Sequence, residues 1–148
     1  MVVIRDMEPT DVRRCQRIHA AATMSSYGRI YTWLQPIVED PATPLEDTEW
    51  NIVAEEGGVV VGYASVTRRH LENLFVDPGV QGRGVGAALL REVEARLPGA
   101  EPITLHCLQV NGDARRFYER HGYAHVRDVE VRYHGHTLPA WLLARARP

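Results

Sequence analysis

The chain has 148 residues, 45% hydrophobic and 24% charged, with a net charge of −2, an ordinary composition for one globular domain with its own core. No global positive field draws it to nucleic acid or anionic lipid, and no run approaches the roughly 18 apolar residues of a membrane span. Every basic residue is Arg, which excludes a lysine nucleophile. The two cysteines, Cys15 and Cys107, make no disulfide framework. With no signal-peptide pattern at the start, they fit a reducing cytoplasm.

In chain order, residues 2–4 form a short apolar strand. Thr10 or Asp11 is placed to cap a helix, near Pro9, in which Val12, Cys15, Ile18, His19 and Ala22 recur at helical spacing. Residues 27–38 predict a second helix broken or kinked at Pro36. Residues 41–50 read as a loop, with the densest run of acids in Asp40, Glu46, Asp47 and Glu49. Such a run serves equally as a solvated surface or as a rim attractive to a cationic amine. Strands follow at 51–55 and 59–66, joined through Gly57-Gly58 as a hairpin, and at 71–76, stopped by Pro78-Gly79. A helix with Val85, Leu89, Leu90, Val93 and Leu97 on one face runs to Pro98-Gly99. The next strand, 103–110, follows a helix and is therefore predicted parallel to 71–76. Asn111 or Asp113 caps a helix with Ala114, Phe117, Tyr118 and His121 on one face, stopped at Gly122. Residues 123–133 and 137–144 make a last hairpin through His134-Gly135-His136. There are no repeats and no linker, so 1–148 reads as a single α/β domain.

Gly82, Gly84 and Gly86 lie where the strand ending at Val76 passes into a helix. Free amides and the positive end of the helix dipole make such a turn an anion site, and glycines admit close approach. Arg83 is placed to add a charge-assisted bond. A dinucleotide site is rejected: Gly82-x-Gly84-x-x-Ala87 fits its glycine pattern, but Glu101, the acid at the right spacing, lies at the wrong end of the next strand. A Walker loop is rejected because no Lys follows the glycines. A tight strand–helix joint alone accounts for one or two of the glycines, but three alternating with Gln81 and Arg83 ask for more.

Gln81-x-x-Gly84-x-Gly86 resembles the acyl-coenzyme A signature (Q/R)-x-x-G-x-(G/A) of the GNAT N-acetyltransferase superfamily. Residues 71–78 resemble its fourth strand. Asn111, Ala114, Phe117, Tyr118, Gly122 and Tyr123 resemble its N-x-x-A-x-x-F-Y-x-x-x-G-(F/Y) segment. The two blocks and the strand between them span about a third of the chain and come in the family's order. The resemblance implies a mixed, mostly antiparallel α/β (α+β) sheet of six or seven strands flanked by helices, with the fourth and fifth strands parallel and splayed. It implies acetyl transfer from acetyl-coenzyme A to a primary amine by direct attack. A non-catalytic acyl-coenzyme A sensor on the same fold is the alternative.

By the same resemblance, Gln81, Gly82, Arg83, Gly84, Val85, Gly86 and Ala87 hold the diphosphate. Main-chain groups near Leu74, Phe75 and Val76 pair with the pantetheine arm as an added strand, and Asn111 bonds the arm or simply caps its helix. Tyr118 is the candidate general acid for the departing thiolate, against a core-packing role beside Phe117. Glu72 is the candidate base; strand alternation puts it on the face of Leu74 and Val76, with Asn73 and Phe75 opposite. It competes with a plain surface carboxylate, and His70 is a weaker second choice. Cys107 alternates with Leu105 and reads as core. His134 and His136 read as a hairpin tip, with no metal expected. The acceptor and the acyl length are not legible, and a homodimer through the last strands is left open.

Overall fold

The computed structural model describes residues 1–146; the last two residues of the expected 1–148 domain lie outside them. The chain runs β1 (Val2–Asp6), a 3₁₀ turn (Pro9–Asp11), α1 (Val12–Tyr27), α2 (Gln35–Val38), β2 (Trp50–Glu56), β3 (Val59–Thr67) and β4 (His70–Val76). A second 3₁₀ turn (Pro78–Val80), α3 (Val85–Arg96), β5 (Ile103–Leu108), α4 (Gly112–Arg120), β6 (Ala124–Tyr133) and β7 (His136–Arg145) follow. The strands form one seven-stranded sheet in the order β1-β2-β3-β4-β5-β7-β6. Every neighbouring pair is antiparallel except β4 and β5, which are parallel.

The two faces are covered differently. On one, Val85, Leu89, Leu90 and Val93 of α3 are buried against Ile52, Ala64, Leu71, Ile103 and Leu105 of the sheet. On the other, Cys15 and Ile18 of α1 pack on Val53, Val60 and Tyr63. α4 joins the α3 face, with Ala114, Phe117 and Tyr118 packed on the larger core. The Glu94 carboxylate of α3 is buried; it accepts from the Tyr123 hydroxyl at 3.0 Å and pairs with Arg145 of β7 at 2.6 Å. That network ties α3 to β7 beside Ile103, at the end of the sheet where β4 and β5 are still paired.

Three expectations change near the N-terminus. Asp11 does not cap α1 with its side chain; its carboxylate accepts from the Glu8 amide at 2.8 Å and from Arg5, which also holds Glu55 of β2. Val12 is exposed rather than part of the apolar stripe. α1 continues through Tyr27, and Pro36 lies in the first turn of the short α2 instead of kinking a longer helix, the position where its missing N–H costs least. The hairpin tips use residues at positive φ, Gly57-Gly58, Arg68 and His134-Gly135, as the favoured two-residue turns do.

Candidate active site

β4 and β5 pair only at His70–Thr104 and Leu71–Leu105, then separate. The gap opens into a cleft of about 1150 Å³ that reaches from the turn before α3 to the face under α1. Its walls carry unused strand edges. Asp77 N donates to Val61 O at 2.8 Å, in register with Gly62–Val76 and Tyr63–Phe75. Antiparallel pairing alternates, so the main chain of Phe75 bonds to β3 and that of Leu74 and Val76 points into the gap. This corrects the expectation for Phe75, which borders the cleft but offers it no backbone group. Across the gap, Thr104 N donates to Arg69 O and Gln109 N to Pro139 O, both at 3.0 Å. The same alternation turns the main chain of His106 and Leu108 toward β4.

At one end of the cleft, Gly82 and Gly84 have φ of +86° and +80°, and a Cβ on either would meet nothing within 4 Å. Gly84 is the N-cap of α3 with no capping side chain, and the first intrahelical bond runs from Ala88 N to Gly84 O. The amides of Val85, Gly86 and Ala87 therefore precede the helix ladder, in an arrangement suited to an anion. Gln81, Gly82, Gly84, Gly86 and Ala87 border the cleft; the Val85 side chain is buried under the sheet. Gly86 lies within α3, where a Cβ would stand 3.5 Å from Phe117 Cζ, so it serves helix packing and not turn conformation. Arg83 lies beside the turn with its guanidinium paired to Glu56 at 2.9 Å, outside the residues that border the cleft.

Asn111 caps α4, its side-chain oxygen accepting from Ala114 N at 3.0 Å, while its amide donates to the Tyr27 hydroxyl at 2.7 Å. Burial pushes the Tyr27 phenol up to about 12. Tyr118 lies one turn along, half-buried, with its ring against Phe117 and Tyr123. The residue borders the cleft, and its hydroxyl makes no hydrogen bond among the described residues. Burial, then the neighbouring Cys107 and Tyr27, push its phenol well above the usual range. Tyr118 is thus a protonated, unengaged donor at neutral pH. Cys107 is buried, its thiol pushed up to about 11 by burial.

The far end of the cleft differs most from the sequence reading. Val66 pairs with Leu71 and Ser65 with Asn73, so Glu72 is the extra residue of a β-bulge. The bulge breaks the alternation: Leu71 and Leu74 both face the α3 core, and Glu72 falls on the side of Asn73. There it shares the cleft with Glu46, the one member of the acidic run that borders it. Burial and the Glu72 charge push the Glu46 carboxyl up, against a hydrogen bond with Asn73. Glu49 instead accepts from the Arg68 amide, and Asp40 from the Ala42 amide at 2.9 Å. Neither Glu46 nor Glu72 forms an ion pair among the described residues, in a chain with 17 arginines.

His106 of β5 borders the cleft on the same face, with its ring 4.6 Å from that of His70. His70 itself is set back, bonded through Nδ1 to Thr104 Oγ1 at 2.7 Å. Tyr27, Tyr31 and Tyr133 give the cleft an aromatic wall, and Tyr133 bonds through its hydroxyl to His19 Nε2 at 3.0 Å. Sequence reasoning missed Tyr27, Tyr133 and His106 as site residues. His106 alone left a signal, as the polar residue between inward Leu105 and Cys107.

Residues 47–125 match the family described as an acetyltransferase (GNAT) domain. The chain is 29% identical over 144 residues to the peptidyl-lysine N-acetyltransferase YiaC of Escherichia coli (strain K12), covering 90% of this chain and 94% of that one. It is 31% identical over 108 residues to the peptidyl-lysine N-acetyltransferase YjaB of Salmonella typhimurium, covering 72% and 69%. The fold is similar to that of a GCN5-related N-acetyltransferase from Rhodopseudomonas palustris, with a TM-score of 0.81 at 23% identity over 98% of this chain and 95% of that one. It also resembles PaiA N-acetyltransferase of Thermoplasma acidophilum, solved in complex with coenzyme A, with a TM-score of 0.73 at 15% identity over 99% of each chain. The seven-stranded sheet with its parted parallel pair, the Gln81–Gly86 signature and these matches agree: the chain belongs to the GNAT superfamily and is an acyl-coenzyme A-dependent N-acetyltransferase.

Proposed function

We propose that this enzyme transfers the acetyl group of acetyl-coenzyme A to the side-chain amine of a lysine presented by a peptide or protein. The observation that carries the choice of acceptor is the Glu46–Glu72 pair, two carboxylates in the cleft to which no arginine among the described residues is paired. A cationic acceptor supplies the missing charge, beside aromatic faces that favour an ammonium. The relatives named peptidyl-lysine N-acetyltransferases support the same choice.

The residues fit the donor. The diphosphate takes the amides of Gly84, Val85, Gly86 and Ala87, with Gln81 and Gly82 beside it and no Cβ in the open space at Gly82 and Gly84. The pantetheine arm lies in the gap and pairs with the main chain of Leu74 and Val76 as an added strand. The amide of Leu74 or Val76 steadies the oxyanion of the tetrahedral intermediate. Asn111, already engaged by Ala114 and Tyr27, borders the arm and keeps α4 in place. Tyr118 gives its proton to the departing sulfur. Glu72 draws the ammonium in and steadies positive charge beside the nitrogen.

The test is a panel of acceptors with thiol detection: lysine peptides, peptides with only an N-terminal amine, and small amines. Turnover is expected to be fastest on lysine peptides and to fall when the lysine is replaced by norleucine. Equal rates on peptides without lysine would refute the acceptor, and binding of acetyl-coenzyme A without turnover on any amine would restore the sensor alternative.

A further inference from the structure

Deprotonation of the acceptor needs a group on the amine side of the cleft, and the position expected for it on β4 is only part of what the fold assembles there. Thr104, His106 and Leu108 alternate away from the α3 core, while Ile103, Leu105 and Cys107 point into it. His106 therefore lies on the face that carries Glu72 and Glu46, at the point where β5 has left β4. Its ring makes no hydrogen bond among the described residues, in contrast to His70, held by Thr104, and His19, held by Tyr133.

Resting on the reading of this cleft as an amine acetyltransferase site, we propose that His106 is the general base of the reaction, and that Glu72 is its charge partner. One proton leaves the acceptor ammonium for the imidazole of His106 and passes to solvent. The neutral nitrogen then attacks the thioester carbon: the C–N bond forms and the C–S bond breaks. The second proton lost by nitrogen balances the one Tyr118 gives to sulfur.

The groups facing the ring are consistent with this role. Burial lowers the basicity of His106, Glu72 of β4 raises it, and Arg127 of β6 lowers it. His70 beside it is driven down to about 4 by burial and by His106 itself, so it stays neutral and does not compete for the proton. Glu46 adds negative charge on the Glu72 side. The imidazole is thus neutral at pH 7, and the imidazolium formed on proton capture has a carboxylate near it.

The test is the pH dependence of kcat/KM for wild type, His106→Gln and Glu72→Gln, with acetyl-coenzyme A binding by calorimetry as a check that each variant is folded. His106→Gln is expected to lower kcat about 100-fold, within the range for a general base, and to lose the acid limb of the profile. Glu72→Gln is expected to keep that limb and move it to lower pH, because removing a negative neighbour makes the imidazole less basic. A limb that survives in His106→Gln and vanishes in Glu72→Gln would overturn the proposal and put the base on Glu72. So would His106→Gln with wild-type turnover. NMR titration of the His106 imidazole reads the coupling without turnover. A fall in its pKa in Glu72→Gln is expected, and an unchanged value would overturn the pairing even if no amine were accepted, an outcome that bears on the acceptor instead.

Discussion

Replacing Gly84 and Gly86 by alanine, one at a time, separates the cost of backbone strain from the loss of a ligand contact. At Gly84 the added Cβ meets no protein atom within 4 Å, but φ is +80°. An L-residue there costs about 1–2 kcal/mol, offset by about 0.4–1 kcal/mol through the stiffer unfolded chain. The net destabilisation is roughly 1 kcal/mol, a fall in Tm of about 2–4 °C at this size. The same methyl occupies the space in which the diphosphate must approach the amides. Losing one charge-assisted bond costs about 1.5–3 kcal/mol, a Kd for coenzyme A weaker by roughly 10- to 150-fold. At Gly86 φ is helical and the Cβ stands 3.5 Å from Phe117 Cζ, an ordinary contact. Alanine there gains up to about 1 kcal/mol of helix stability and is expected to leave the Kd within about threefold, an estimate that follows from an untouched amide. Calorimetric titration and thermal melts of both variants decide the matter. Wild-type affinity in Gly84→Ala, or a binding loss in Gly86→Ala as large as in Gly84→Ala, would refute the geometry assigned to this turn.

Tyr118→Phe removes a hydroxyl with no hydrogen-bond partner among the described residues, so the melting temperature should stay within about 2 °C while kcat falls at least about tenfold; a loss of stability with unchanged kcat would reassign the residue to the core. Arg83→Gln breaks only the exposed pair with Glu56, worth about 0–1 kcal/mol, and should leave the Kd for coenzyme A within about twofold, because a side chain outside the cleft contributes only screened charge. Arg5 holds the Asp11 carboxyl below its ordinary range. A depressed folded pKa gives stability that is present above about pH 4 and lost as the pH falls through the folded value. Asp11→Asn should therefore lower Tm at pH 7 and flatten its decline below pH 4; a parallel acid decline in both proteins would show that the pair does not set it.

Local spacing carried most of the fold. The helical stripe from Val85 to Leu97, the stop at Pro78-Gly79 and the Asn111 cap depend on residues a few positions apart, and each is found where the sequence puts it. The features that were not legible depend on a partner strand or a distant charge. Glu72 changes face because β4 carries one residue more than β3 opposes, which its own alternation cannot reveal. The pairing of Arg83 with Glu56, 27 positions earlier, joins residues that no local spacing relates. The acceptor end draws Glu46, Glu72, His106 and Tyr133 from four separate segments, and no spacing in the chain relates them. The donor end is one continuous turn, and for that reason it was readable as a motif.

The central claim is that coenzyme A lies along the parted edge of β4 with its diphosphate on the first amides of α3. Amide NMR of the labelled protein, titrated with acetyl-coenzyme A, tests it residue by residue. The largest shifts are expected at Leu74, Val76, Gly84, Val85, Gly86 and Ala87, with Val2–Asp6 of β1 and the 57–58 turn unmoved. Saturable binding that leaves the amides of 84–87 in place would contradict the account.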